Sequence, residues 1–163
     1  MQIRTATEAD FEPLMHLINA AFEVEKFFKA GDRVDASMLR GYFQQGTFLL
    51  LETDRALTGA IFVEVKTPPD GEPKRAYFGL LSVSPHHQKS GIGRRLVAAA
   101  EEFARESGAW FMDITVVNLR TELPPIYEKL GYRITGTKPF PATQMPITQL
   151  CHFLCMTKEL GHR

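Results

Sequence analysis

Residues 81–96, LSVSPHHQKSGIGRRL, concentrate more potential chemistry than any other stretch of the chain. An apolar run ends, Gly91 and Gly93 follow, and Lys89, Arg94 and Arg95 stand with no acid between positions 86 and 95. A helix that begins at such glycines leaves backbone N–H groups without intrahelical partners, and the missing side chains let a ligand approach them. That arrangement suits a phosphate. The spacing narrows the choice, because a dinucleotide fingerprint needs Gly-x-Gly-x-x-Gly and position 96 is Leu, while the P-loop ending Gly-Lys-Ser/Thr is also missing. His86 and His87 are imidazoles, a residue type suited to base work, but they flank the anion loop, where phosphate contact or plain exposure is the simpler reading.

The elements around this loop follow from hydrophobic period and punctuation. Residues 76–83 read as an apolar strand buried on both faces, and 92–107 as an amphipathic helix with Leu96, Ala99, Ala100 and Phe103 on one face, ended by Gly108. Residues 110–117 form the next strand, so strand, helix and strand make a right-handed parallel crossover. Upstream, 2–7 reads as a strand, and Asp10 as the N-cap of a helix with Leu14, Leu17, Ile18, Ala21 and Phe22 on its face and Pro13 in its first turn. Asp35 caps a second helix bearing Met38, Leu39, Tyr42 and Phe43, stopped by Gly46. Strands 47–52 and 56–66 form an antiparallel hairpin, and TPPDGEPKR an exposed loop. Downstream lie a short helix 123–130, opened by Pro124 and Pro125 and stopped by Gly131, and strands 132–138 and 149–158 separated by PFPATQMP.

Composition excludes several functions. The 163 residues are 44% hydrophobic and 23% charged, ordinary values for one globular domain spanning 1–163. Nineteen Lys plus Arg balance nineteen Asp plus Glu, so no global field draws the protein to nucleic acid or to an anionic membrane. The longest apolar run, Leu96 to Ala100, is far shorter than the ~18 residues of a membrane span, and the start lacks a signal peptide's apolar region. A soluble, cytoplasmic chain is expected. Cys151 and Cys155 fall in a strand-like stretch, where four residues span ~13 Å, beyond the ~7 Å that a disulfide can bridge. His152 between them and His162 beyond suggest a metal, but a strand sends Cys151 and His152 to opposite faces, so two buried thiols and no metal are expected.

The segment Gln88-x-x-Gly91-x-Gly93 after Val83-x-Pro85 resembles the acyl-CoA-binding motif of the GNAT superfamily of N-acetyltransferases. Asn118 followed by PPIYEKLGY is similar to that family's Asn and Tyr-Glu-x-x-Gly-Phe/Tyr segment, with a slightly longer spacing and two prolines in the turn. The resemblance runs through most of the chain. It implies an α/β (α+β) fold with a mixed, mostly antiparallel sheet of about six to seven strands flanked by helices, splayed where a parallel pair admits pantetheine. It also implies acetyl transfer from acetyl-CoA to a primary amine by direct attack, with no metal. Residue by residue, Leu81, Ser82 and Val83 would pair their backbone with the pantetheine, and Gln88, Lys89, Ser90, Gly91, Ile92, Gly93 and Arg94 would cradle the pyrophosphate. Asn118 and Tyr127 would lie near the donor, with Tyr127 protonating the departing thiolate.

Many members of that family carry a Glu on the strand before the loop, and AYFGLLSV has none. Glu64 on the neighbouring strand is the first substitute for the base. Glu25, His152 and a water or solvent route stay open. VEKFFKAGDR and PFPATQMPIT are free to form a substrate lid, with Phe27, Phe28, Phe140 and Met145 as lining. The mixed charges of Glu23, Glu25, Lys26, Lys29, Asp32 and Arg33 favour no acceptor charge. A small-molecule or peptide amine is the expected partner, and a monomer or homodimer the expected state. The rival function is a CoA-responsive binding module without turnover, and a nucleotide-binding protein comes third.

Overall fold

The computed structural model describes residues 1–143 and 145–161. One seven-stranded sheet runs through it in the order β1-β2-β3-β4-β5-β7-β6. The strands are β1 (Gln2–Thr5), β2 (Thr47–Thr53), β3 (Ala56–Lys66), β4 (Lys74–Val83), β5 (Ala109–Val117), β6 (Arg133–Pro139) and β7 (His152–Glu159). All neighbours pair antiparallel except β4 and β5. Helices α1 (Phe11–Ala21) and α2 (Ala36–Gln45) cover one face, and α3 (Ile92–Glu106) with α4 (Leu123–Lys129) the other. The mixed, mostly antiparallel architecture is the one expected.

Each face buries its own cluster. Leu14, Ile18 and Leu39 meet Phe48, Leu50 and Phe62 under α1 and α2, while Leu96, Ala100 and Ala104 of α3 meet Leu51, Ile61, Met112 and Met156. The β2–β3 hairpin turns on Asp54 and Arg55, both at positive φ (51° and 66°), which matches the type I′ turn favoured by the strand twist. A Cβ at Gly59 on β3 would lie 2.7 Å from Ile92 and 2.8 Å from Leu96, so glycine there lets the start of α3 settle onto the sheet. That contact positions the loop before α3.

The decisive irregularity is in β4. Its register against β3 slips between Ala60 and Phe62, with Leu80 at φ 49°, and its parallel pairing with β5 runs only from Lys74 to Tyr77. A bulge bends and twists its strand. Beyond Tyr77, β4 and β5 part, and β5 continues along β7 as far as Val117.

Several expectations need correction. The carboxylate of Asp10 does not cap α1: Asp10 is itself helical (φ −89°, ψ −4°), at the end of the short turn Glu8–Asp10, and its carboxylate turns back to accept from the Thr7 backbone N–H at 2.8 Å and from Arg4 at 2.7 and 2.8 Å. Asp35 does cap α2, accepting from the Met38 N–H at 2.8 Å. β4 is not buried on both faces but alternates buried with half-buried residues, since the side facing the gap has no helix pressed fully against it. β7 starts at His152 rather than 149, because 146–149 pair instead with 28–30. Both thiols are free and half-buried rather than buried. His162, the fourth member of the imagined metal set, and Gln144 of the proline loop lie outside the described residues. Among the described residues no three His, Cys, Asp or Glu side chains are grouped to hold a metal, and no helix is long and apolar enough to cross a membrane.

Candidate active site

The gap between β4 and β5 opens into one cleft of about 1280 Å³ that draws its lining from both helical layers. On the α3 side it is walled by β4 and the loop that follows. Leu81, Val83, Gln88, Lys89, Gly91, Ile92, Gly93 and Arg94 all line it. Gly91 has φ 84°, a conformation that an L-residue with a side chain adopts only under strain, and it occupies the N-cap of α3 with no side chain capping the helix. The first bond of the helix is Arg95 N–H to the Gly91 carbonyl at 3.1 Å, which leaves the Ile92, Gly93 and Arg94 N–H groups without helical partners. Lys89, also at positive φ (67°), tightens the turn, and the Ser90 hydroxyl donates to the His87 carbonyl. His87 lines the cleft with a buried Nδ1 that has no hydrogen-bond partner among the described residues. Exposed amides, Lys89 and Arg94 together could hold an anion.

The widened stretch of β4 adds a second capability. Past Tyr77 it has a hydrogen-bonding edge that β5 does not use, so the backbone of 79–83 can receive an extended amide-bearing arm as a further strand. Ser82 is fully buried, with its hydroxyl donating to the Leu80 carbonyl at 3.0 Å, so only its backbone is available to a ligand. Neither Ser82 nor Ser90 lines the cleft.

Tyr127, on α4, lines the cleft and is 8% exposed, its ring 6.0 Å from those of Phe78 and Tyr132. Burial pushes its phenol up to about 12, with the nearby charge of Arg120 opposing the shift. The hydroxyl therefore holds its proton across the neutral range. Asn118 lies elsewhere: its side-chain oxygen accepts from the His152 N–H at 2.8 Å, while its own N–H donates to the His152 carbonyl at 2.9 Å. It ties β5 to the start of β7 and does not line the cleft.

Glu64 lines the opposite arm, on β3 directly across from Tyr77 of β4. Burial raises the Tyr77 phenol, with a hydrogen bond from Thr115 opposing. Of the six mixed charges at 23–33, Glu25, Lys29 and Arg33 line the cleft, whereas Lys26 pairs with Glu23 at 2.8 Å and Asp32 at 3.7 Å outside it. Glu25 is 7% exposed and accepts from Arg120 at 2.8 Å; burial lifts its carboxyl above the usual range despite Arg120, Arg33 and Lys29. Arg120 was not singled out from the sequence. Its partner is 95 positions away, and no local motif marks it.

The two candidate lid segments meet as one wall. Lys29 and Ile147 form an antiparallel bridge, Ala30 N–H donates to the Pro146 carbonyl at 3.0 Å, and Thr148 N–H to the Phe28 carbonyl at 2.7 Å. Phe140 and Met145 line the cleft as expected. Phe28 is fully buried behind them, edge-on to Phe140 at 6.3 Å, and Phe27 is 48% exposed outside. His152 is exposed and is not among the lining residues.

A sheet splayed at its parallel pair, with an uncapped helix start beside the gap, defines an α/β protein whose cleft could take an extended ligand. Residues 18–148 match the family model for the acetyltransferase (GNAT) domain, and the chain belongs to that family. It is 30% identical over 105 residues to N-acetyltransferase family 8 member 2 of Rattus norvegicus, covering 62% of this chain and 45% of that protein. The matched region thus spans less than half of that relative. The fold superposes on ribosomal-protein-alanine N-acetyltransferase from Brucella melitensis with TM-score 0.77 at 21% identity, over 98% of this chain and 99% of that one. It also superposes on a GNAT family acetyltransferase from Elizabethkingia anophelis with acetyl-CoA bound, with TM-score 0.74 at 18% identity over 97% of each chain.

Proposed function

We propose that residues 1–163 act as one N-acetyltransferase unit that moves an acetyl group from acetyl-CoA to a primary amine by direct attack. The observation that carries this reading is the junction of two arms in one cleft: a free β4 edge with an uncapped α3 start on one side, and a buried polar wall on the other, with Tyr127 also lining that cleft.

The residues fit the donor. The N–H groups at 92–94, with Lys89 and Arg94, would hold its pyrophosphate, and His87 Nδ1 offers a further unpaired atom on the same loop. The β4 backbone at 81–83 would pair with the pantetheine amides. Bound acetyl-CoA supplies an activated thioester, and the chain's groups manage protons around it. Tyr127 donates a hydrogen bond to the sulfur as charge develops there. A phenol at about 12 facing a thiol of ordinary pKa ~8.5 shares its proton rather than surrendering it early. Glu64 takes the amine's proton directly or through one water, with solvent as the competing route. Glu25 is less suited, because Arg120 already occupies its carboxylate.

No metal enters this chemistry, and neither nucleic acid nor membrane is needed. The acceptor is a small molecule or a peptide, and the unit works as a monomer or homodimer. Two free thiols suit a reducing compartment such as the cytoplasm. The test is thiol release from acetyl-CoA across a panel of amines, with the acetylated product weighed by mass spectrometry. Amine-dependent release is expected. Tight CoA binding without release from any amine would favour the CoA-responsive module instead.

A further inference from the structure

The acceptor arm holds more cation than its own carboxylates neutralise. Glu25 and Glu122 both accept from Arg120, at 2.8 and 3.1 Å, and Asp113 accepts from Arg75 at 2.7 Å. Lys29 and Arg33 have no carboxylate within 4.0 Å among the described residues. Lys29 is only 2% exposed, and its Nζ reaches just the Gly31 carbonyl at 3.5 Å. Arg33 stacks on the Phe22 ring at 5.6 Å, and its Nη1 is buried without a hydrogen-bond partner among the described residues. Buried donors are almost always satisfied, so an orphan guanidinium N–H in the wall of a cleft marks a place for a ligand's acceptor atom.

Other cations of this arm differ. Lys66 and Lys138 are exposed and hydrated, near the rings of Tyr77 and Phe153. Burial, and then the charge of Arg33, pushes the Lys29 ammonium below the ordinary lysine value, although the charges of Glu25 and Asp32 oppose the shift from beyond ion-pair distance. Meanwhile Glu64 is a lining carboxylate without an ion pair among the described residues. The arm therefore presents one buried lysine, one half-buried arginine and, among the described residues, one carboxylate without an ion pair.

The geometry points to an acceptor that bears a carboxylate beside its amine, the carboxylate docked on Arg33 and Lys29 and the amine directed to Glu64. This rests on the N-acetyltransferase reading and names its substrate class: a free amino acid or similar amino carboxylate, not a polyamine or a neutral amine. In the reaction the amine nitrogen bonds the acetyl carbon, the carbon–sulfur bond breaks, the amine loses one proton and the thiolate gains one. The products are an N-acetylamino acid and CoA. A planar guanidinium fork matches a carboxylate in shape as well as charge, and a polycationic acceptor would meet like charge on Arg33 and Lys29.

Matched pairs decide it: methionine and methioninamide, phenylalanine and phenylalaninamide, β-alanine and β-alaninamide, assayed by thiol release and product mass. The amides are intrinsically the more reactive amines at neutral pH, so a preference for the acids must come from the protein. Wild type is expected to show KM for the acids about tenfold below the amides. Arg33→Gln should raise KM for the acids about tenfold with kcat changed little and KM for the amides unmoved, and Arg33→Lys should fall between. Calorimetric CoA binding by each variant certifies that it is folded. Equal use of acids and amides by wild type overturns the proposal, as does an Arg33→Gln effect that is the same on both. Acetylation of other amines with none of the acids overturns the acceptor class alone. Loss of amine-dependent release altogether overturns the acetyltransferase reading and this inference with it, while failure of wild type to bind CoA removes the donor site itself.

Discussion

On the α3 side of the cleft the ligand-facing groups are backbone amides and a strand edge within residues 79–94, whereas on the α1 side they are long side chains from 25–33, 64, 77 and 120–122. The first arm is set by local conformation: a bulge, three positive-φ residues and a helix start. The second exists only after the chain has folded, when the turn before α4 and the segment after α1 are joined through Arg120 and Glu25. On the proposed reading, the backbone arm takes the constant donor and the side-chain arm the variable acceptor.

Tyr127→Phe tests the point where the arms meet, and it carries the largest expected effect. It keeps the ring packing against Phe78 and Tyr132 while removing the hydroxyl, so turnover should fall about 100-fold with CoA affinity unchanged by calorimetry. Wild-type turnover, under conditions where chemistry limits the rate, would reduce Tyr127 to a packing residue.

Arg120→Met separates the arms further. It strips the buried Glu25 of its partner, and breaking such a pair costs about 2 kcal/mol where both groups are slightly exposed. Because burial already raises the Glu25 pKa, the variant raises it further, and the folded state then holds a proton that the unfolded state gives up. The destabilisation relative to wild type should therefore be full near pH 8 and smaller near pH 5, read from urea midpoints. A deficit independent of pH would mean that Arg120 acts by packing alone.

Asp10→Asn lies far from both arms and should be the mildest. Arg4 hydrogen bonds hold the Asp10 carboxyl down to about 2 from 3.8, so its stabilising contribution is complete above ~3.8 and disappears as pH falls through about 2. Arg4 is 39% exposed, which screens the pair to about 1 kcal/mol. Urea unfolding should show that loss at pH 7 and little at pH 2, with turnover unaffected throughout. A change in turnover would link this corner to the cleft.

The same contrast explains what the sequence made legible. The β4-α3-β5 crossover and the glycine turn at the start of α3 are contiguous in the chain, so they were readable from period and spacing, while the donor role proposed for Gln88-x-x-Gly91-x-Gly93 came from its resemblance to a family motif. Tyr127 followed from a motif on one short helix. The acceptor arm was not readable, because Glu25 and Arg120 are 95 positions apart and the charges at 23–33 differ only in which of them face inward. Asp10 misled for a related reason: its partner, Arg4, sits on another element. The pairing of 28–30 with 146–149, which moved the start of β7, is equally non-local.

Calorimetric titration of CoA into wild type, Gly91→Glu and Arg33→Gln tests most directly whether the arms are separate. A side chain at φ 84° strains the turn, and a carboxylate there repels the pyrophosphate, so Gly91→Glu should lose about 100-fold in affinity. Arg33→Gln should bind CoA as wild type does. Equal loss in both variants, or unchanged affinity in Gly91→Glu, would contradict a donor arm built from backbone and independent of the acceptor wall.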